Sequence, residues 1–488
     1  MRLDDDLKFF ESEEFKATLA IYESAHDVGS QAYMEADDLT DIAEYYSMVC
    51  HDEGRADEAI NLALQLHPDA VDPQVFKARQ YMLAGEIGTA EELCNAIEDQ
   101  QHREVYFLRA ELLIRQDYVK QAATMLMELM ETIDEDRDYF LYDSAYVFVD
   151  YRLYEQAQLF ANLLEEMAPD WYKTWQVMAD VHLGLENNSV ALNYIERMLD
   201  VDPFSTEAWN WSAEAQCGLS QFNEALNSIE YALAVDPENE RAFQLKAWIL
   251  MQSGRFVEAL QLYEKLIAWS PDNEQNWLYT SYCLLSINRL DDAVYAIEHA
   301  ESLAQEMSTE QAGIYEQHAQ ILSRKGDVEG ALACLDKAQN FFVPEDDLLD
   351  LDLLRARVEA ENGNPDIALN YIHQAYNHNE DHHLEIYLMG AMIFFDCEYF
   401  EVAKDMFLEL ADHSSSDMQK ASNYAYIAYC FMQLKDENNV LKYLKLAAAA
   451  PDKLRELFAD EFPNVQPDEY YDYYYYRVYG QWPNAAPI

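Results

Sequence analysis

Apolar residues in this chain return at the three- and four-residue steps of an α-helix, in paired blocks separated by short polar breaks. One block pair reads DPFSTEAWNWSAEAQCGLSQFNEALNSIEYALAV from Asp202, and the next reads DPENERAFQLKAWILMQSGRFVEALQLYEKLIAW from Asp236. Each predicts a helix, a turn around Leu-Ser-Gln or Ser-Gly-Arg, and a second helix. The unit recurs every 34 residues: Pro169, Pro203, Pro237 and Pro271 keep that interval. So do Ala157, Ala191, Ala225, Ala259 and Ala293, and a second series of Ala145, Ala179, Ala213 and Ala247 completed by Ser281. Proline starts a helix where its missing N–H costs nothing, and small residues let two helix backbones approach closely. The predicted unit is an antiparallel helical hairpin.

Outside this central block the frame continues through Ala59, Ala90, Ala122, Ala331, Ala368, Ala403 and Val440, at intervals between 31 and 38. Trp175, Trp209 and Trp277 fill an aromatic slot early in the first helix, with a small residue four positions later, Glu-Ala-Leu in the second helix, and then Pro. This pattern resembles the tetratricopeptide repeat family, whose period is about 34 residues. The small Gly of that family is nearly always Ala here. Pentatricopeptide repeats have a similar length but read RNA, which an acidic surface opposes; half-a-tetratricopeptide repeats place their Trp and Pro differently. The resemblance implies an all-α fold, an α-solenoid superhelix of about twelve hairpins. The array is expected over residues 40–454. Residues 1–39 read as a partial repeat capping it, and residues 455–488 as a short helix with a Tyr-rich tail outside the repeats. Longer connections are expected at Ser302–Thr309 and in FVPEDDLLD, residues 342–350.

The same resemblance implies that first helices line a concave groove. Mapping that face gives Tyr139, Tyr142, Tyr146, Gln176, Asp180, Asn210, Glu214, Gln244, Trp248, Tyr279, Tyr282, Met389 and Met392 as candidate binding residues. Such a groove is aromatic and acidic, suited to a protein or extended peptide carrying Lys or Arg between apolar residues. The family's grip on the carboxylate end of chaperone tails uses Lys, Asn and Arg spread over adjacent repeats. Lys173 and Asn210 are isolated, so that mode is not expected.

Composition sharpens the picture. With 92 acidic and 32 basic residues the formal charge is −60, a field that repels phosphate backbones and excludes ordinary nucleic-acid binding. The 13 Gly and 13 Pro in 488 residues leave few helix breakers. The acidic amino terminus lacks the charge and apolar stretch of an export signal, and no apolar run reaches the roughly 20 residues of a membrane span. Seven scattered cysteines without a close pair suit a reducing cytoplasm, as buried thiols.

A search for chemistry finds little. Acid runs such as Asp134-Glu135-Asp136 and Glu345-Asp346-Asp347 are expected by chance in so acidic a chain and read as connections or solvated faces. There is no Gly-rich phosphate loop or nucleophile elbow, and no cofactor is implied. His373, His378, His382 and His383 form the one histidine cluster, whose four-residue spacing offers an alternative reading as a metal protein or enzyme subunit. The main expectation is a non-enzymatic, cytoplasmic protein-binding scaffold. A chaperone-like holder of a basic client is its nearest rival.

Overall fold

The computed structural model describes residues 9–27, 33–133, 136–304, 310–341, 345–378, 382–414 and 416–483. Among these residues all regular structure is helical, with 27 α-helices and a few 3-10 turns, an all-α solenoid of consecutive hairpins.

The break inside each hairpin follows one plan, and in eleven of the twelve, all but that at His51, the hydrogen bonds are the same. One residue adopts a left-handed conformation: His51, Gly85, Asp117, Arg152, Glu186, Ser220, Gly254, Asn288, Gly326, Gly363, Glu398 and Lys435. In the central repeats the next N–H reaches back five residues, as in Asn187 N–H to His182 O at 2.8 Å and Arg255 N–H to Leu250 O at 2.8 Å. The left-handed residue itself donates three residues back, Glu186 N–H to Leu183 O at 3.0 Å. Together these bonds form a Schellman motif, which satisfies the last carbonyls of the first helix and reverses the chain.

The link between hairpins carries its own periodic chemistry. Ser205, Asn239 and Asn273, again 34 apart, accept from the backbone N–H of Ala208, Ala242 and Asn276 at 3.1, 2.8 and 3.1 Å. Each thereby caps a first helix. The prolines do not start these helices, as the sequence had suggested. Pro203, for example, follows the C-cap Asp202 of one helix and precedes the cap Ser205 of the next. Their role is to stop the second helix. Their carbonyls then accept the indole N–H of the aromatic slot: Trp175 to Pro169 at 2.7 Å, Trp209 to Pro203 at 2.9 Å, and Trp277 to Pro271 at 2.9 Å.

The small residues sit at the closest approaches. Ala157, Ala191, Ala225, Ala259 and Ala293 are fully buried, as are Ala59, Ala90, Ala122, Ala331, Ala368, Ala403 and Val440 in the same frame. The second series, Ala145 to Ser281, is fully buried as well. A larger side chain at any of them would drive helices apart.

The chain forms two compact units, residues 1–245 and 246–488, and the boundary falls within the helix Glu240–Gln252. In the first unit, the helix Glu13–Asp27 precedes the hairpin Ala36–Met48 and Glu53–Leu66, and Phe10, Phe15 and Tyr22 join that hairpin's core. In the second unit the last hairpin, Asp417–Gln433 and Glu437–Leu446, is covered by the helices Pro451–Phe458 and Tyr470–Tyr479. The Tyr-rich segment is therefore a packed helix, with Tyr470 and Tyr474 buried alongside Phe458 and Phe462. The connection expected at 342–350 is shorter than that, because the helix Glu345–Glu361 begins inside it; residues 342–344 lie outside the described residues. Of the connection at 302–309, Ser302 and Leu303 still belong to a helix and residues 305–309 lie outside the described set. Residues 1–8 and 28–32 of the expected cap, and Asp134 and Glu135 of the acid runs, lie outside it too.

Candidate protein-binding surface

In the first unit, successive first helices Arg137–Asp150, Tyr172–Gly184 and Thr206–Gly218 place side chains 34 residues apart beside one another. Tyr142 Oη donates to Gln176 Oε1 at 3.1 Å, and Gln176 Nε2 donates to Glu207 Oε2 at 3.3 Å. Asn210 Nδ2 donates to Asn239 Oδ1 at 3.4 Å, and Arg241 pairs with Glu214 at 3.4 Å. This polar ladder cross-links neighbouring repeats on one face, as the period requires.

An aromatic corner occupies one end of that ladder. The Tyr139 and Trp171 rings meet edge-on at 4.8 Å, Tyr142 lies 6.0 Å from Trp171, and Tyr142 meets Tyr146 at 4.8 Å. The Lys173 ammonium stands 4.7 Å above the Tyr142 ring and 5.6 Å from that of Tyr139. Ring faces carry negative quadrupole density, so this corner is chemically a cation seat.

Exposure divides the candidate residues. Tyr139 is 43% exposed, whereas Tyr142, Tyr146, Gln176 and Asn210 are buried at 3 to 7%. Asp180 and Glu214 are half-buried. Gln244 is half-buried and donates to Glu240 at 3.3 Å. In the second unit Trp248, Tyr279 and Tyr282 are half-buried, the two tyrosine rings lying 6.5 Å apart. Burial, then the nearby Glu316 carboxylate, raises the Tyr282 phenol above its ordinary range. Met389 is exposed, and Met392 packs against the carboxy-terminal core.

The second unit also holds a cleft of about 240 Å³ that the sequence reading missed, lined among others by Leu285, Glu316, Ser323, Arg324, Arg357 and Glu361. Arg357 pairs with Asp396 at 3.5 Å, and Ser323 Oγ donates to Glu361 at 2.7 Å. The signal available was two arginines 33 positions apart on successive first helices, in a chain with only 32 basic residues.

The histidine cluster is not gathered into a ligand set among its described members. His382 is exposed and lies 3.4 Å from Glu385, His373 is exposed, and His383 stacks on Tyr376 with ring centroids 3.9 Å apart. The His378 side chain and residues 379–381 lie outside the description. Glu345, Asp346 and Asp347 belong to the first turn of a helix. Burial raises the thiols of Cys217 to about 11 and of Cys283 and Cys430 to about 12, which makes them inert. Among the described residues no helix is long and apolar enough to cross a membrane.

Two tetratricopeptide repeat family models match this chain, over residues 218–274 and 250–305. No curated protein matches it. Among solved structures it is similar to a tetratricopeptide repeat protein from Parabacteroides merdae, with 16% identity, a TM-score of 0.44, and coverage of 52% of this chain and 99% of that one. It is similar also to human IFIT1, solved as a dimer with m7Gppp-AAAA, with 14% identity, a TM-score of 0.46, and coverage of 77% and 89%. A third is MamA from Desulfovibrio magneticus, with 16% identity, a TM-score of 0.32, and coverage of 35% and 94%. Tetratricopeptide folds serve in general as protein-interaction scaffolds and not as enzymes. With overlapping family models on its central repeats, with a Schellman turn in eleven of the twelve hairpins and a fully buried residue at the same place in all twelve, this chain is a tetratricopeptide repeat protein.

Proposed function

We propose that the chain is a scaffold that holds an extended segment of a partner protein, one carrying Lys or Arg between apolar residues, against its first-helix surface. The observation that carries this reading is the aromatic corner of Tyr139, Tyr142 and Trp171, which already seats the ammonium of Lys173. A partner cation would take the place of Lys173 on these ring faces, with the half-buried carboxylates of Asp180 and Glu214 further along the first-helix surface. Each exposed cation–π contact of this kind contributes about 0.5–1 kcal/mol, so several must act together. In the second unit Trp248, Tyr279, Tyr282 and Met389 offer further contact area of the same aromatic and apolar character.

Tyr139 is the residue to test, because it is exposed and its loss leaves the core intact. Peptides alternating Arg with Leu, and matched peptides alternating Glu with Leu, are titrated into the full chain at low and physiological salt. The Arg series is expected to bind, with affinity that falls but persists near 0.15 M salt, where screening acts over about 8 Å. Tyr139→Ala should then weaken binding by about 0.5–1 kcal/mol at an unchanged melting temperature, the loss expected of one exposed cation–π contact. Equal binding of the Glu series, or no effect of Tyr139→Ala, would overturn the reading. Trp248→Ala separates two roles in the second unit: a loss of affinity marks a contact residue, and a loss of stability alone marks a core residue.

A further inference from the structure

Three consecutive helices of the second unit bring together a thiol, an imidazole and a carboxylate. Glu301 lies in the last turn of Leu290–Leu303, His318 in the middle of Glu310–Lys325, and Cys334 in the middle of Val328–Ala338. One ligand atom from each lies within 4.8 Å of the other two. His318 Nδ1 is paired directly with a Glu301 carboxylate oxygen. The side chains of His318 and Glu301 are 12% and 21% exposed, and Cys334 is 5% exposed, so the group is shielded yet open on one side. It is the one grouping of three such donors among the described residues.

We propose that Glu301, His318 and Cys334 form a zinc site that pins two consecutive hairpins together. The donor set selects the metal. Calcium and magnesium take oxygen donors, whereas zinc accepts thiolate, imidazole and carboxylate in one tetrahedral shell. Zinc–ligand bonds of about 2.0–2.3 Å place donors roughly 3.3–3.8 Å apart. The Glu301 carboxylate oxygen and His318 Nδ1, now paired directly, must part to that spacing, with the Cys334 sulfur already within 4.8 Å of both, an adjustment within the reach of side-chain rotation. Three protein ligands leave a fourth position for water on the open side. The surrounding charge favours a cation, since the chain carries −60. Binding releases two protons, that of the thiol and that of the imidazolium paired with Glu301, and leaves a thiolate and a neutral imidazole as ligands. The second helix of one hairpin is then tied to both helices of the next.

Without metal, the same three groups would serve only as a buried ion pair beside a cysteine, and metal measurements separate the two roles. The purified full chain is equilibrated with zinc, dialysed and analysed for metal, then loaded with cobalt for spectroscopy. One zinc per chain is expected, together with a thiolate-to-cobalt charge-transfer band in the near ultraviolet. Cys334→Ser should abolish the band and lower affinity by more than the roughly 10- to 100-fold lost when an outer-shell partner is removed. Glu301→Gln should retain the band at reduced affinity. Cys430→Ser and His382→Ala should change neither stoichiometry nor spectrum. If Cys334→Ser fails to fold, the wild-type cobalt spectrum and the partly exposed His318→Gln and Glu301→Gln variants decide the matter. Absence of stoichiometric zinc, a cobalt spectrum lacking the thiolate band, or loss of metal on His382→Ala but not on His318→Gln would overturn the site.

Discussion

Tyr263 is 1% exposed, and among the described residues its hydroxyl has no hydrogen-bond partner. Burial, followed by the nearby Cys283 and Tyr279, raises its phenol far above the ordinary range. A buried hydroxyl without a partner costs roughly 1–3 kcal/mol, while the ring beneath it fills core volume that the fold needs. Tyr263→Phe keeps the ring and removes the hydroxyl, so it should stabilise the protein by about 1 kcal/mol in urea unfolding. A loss of that size would show that the hydroxyl is satisfied after all. Tryptophan roles were legible only in part. The indoles of Trp175, Trp209 and Trp277 were visible in the sequence as a periodic aromatic, but their bonds to proline carbonyls six residues earlier were not. Helical periodicity assigns a residue to a face. It does not say which carbonyl an indole N–H will find, and at the equivalent Phe243 the ring carries no N–H.

At the level of the helix, two kinds of constraint meet where hairpins turn and where they stack. The turns use a left-handed residue that is glycine at Gly85, Gly254, Gly326 and Gly363 and an ordinary residue elsewhere. That conformation costs an L-residue roughly 1–2 kcal/mol, a strain the Schellman bonds offset in most repeats. This is why the turn cannot be found by looking for glycine alone. Stacking is less forgiving. Gly390, buried in the helix His383–Asp396, faces Ile372 of the preceding helix and Met406 of the following one; an added Cβ would lie 2.8 Å from Ile372 Cγ2 and 3.0 Å from the Met406 methyl. Gly390→Ala should therefore cost about 1–3 kcal/mol through overpacking, measured as a lower denaturant midpoint with helix content retained. An unchanged midpoint would mean that these side chains move aside freely. The Tyr-rich helix Tyr470–Tyr479 follows the same logic. Its composition suggested a segment outside the repeats, but a last hairpin without a neighbour leaves an apolar face, and Tyr470 and Tyr474 help to cover it.

Across the whole molecule the dominant quantity is charge. Many of the ion pairs among the described residues are exposed, such as Arg255–Glu258 at 2.6 Å and Arg289–Asp292 at 2.7 Å, and pairs of that kind each contribute only about 0–1 kcal/mol. Repulsion among 92 carboxylates is spread over every repeat. Screening should therefore relieve more repulsion than it removes attraction, and the melting temperature should rise as sodium chloride goes from about 0.01 to 0.15 M, where the Debye length falls from about 30 to 8 Å. A falling melting temperature would show that the ion pairs dominate. The sequence by itself determined the helical hairpin, its period and the small residues at the helix contacts, because each follows from local spacing repeated many times. It also carried the net charge and the absence of familiar catalytic motifs. Only the tertiary structure decided which groove candidates are buried, as Tyr142 and Tyr146 are, and which are open, as Tyr139 is. Only it gathered Glu301, His318 and Cys334 from three helices, and Arg324 and Arg357 around one cleft. The physical reason is the same in each case: period fixes which side of a helix a residue occupies, whereas exposure and convergence depend on how neighbouring helices pack against that side.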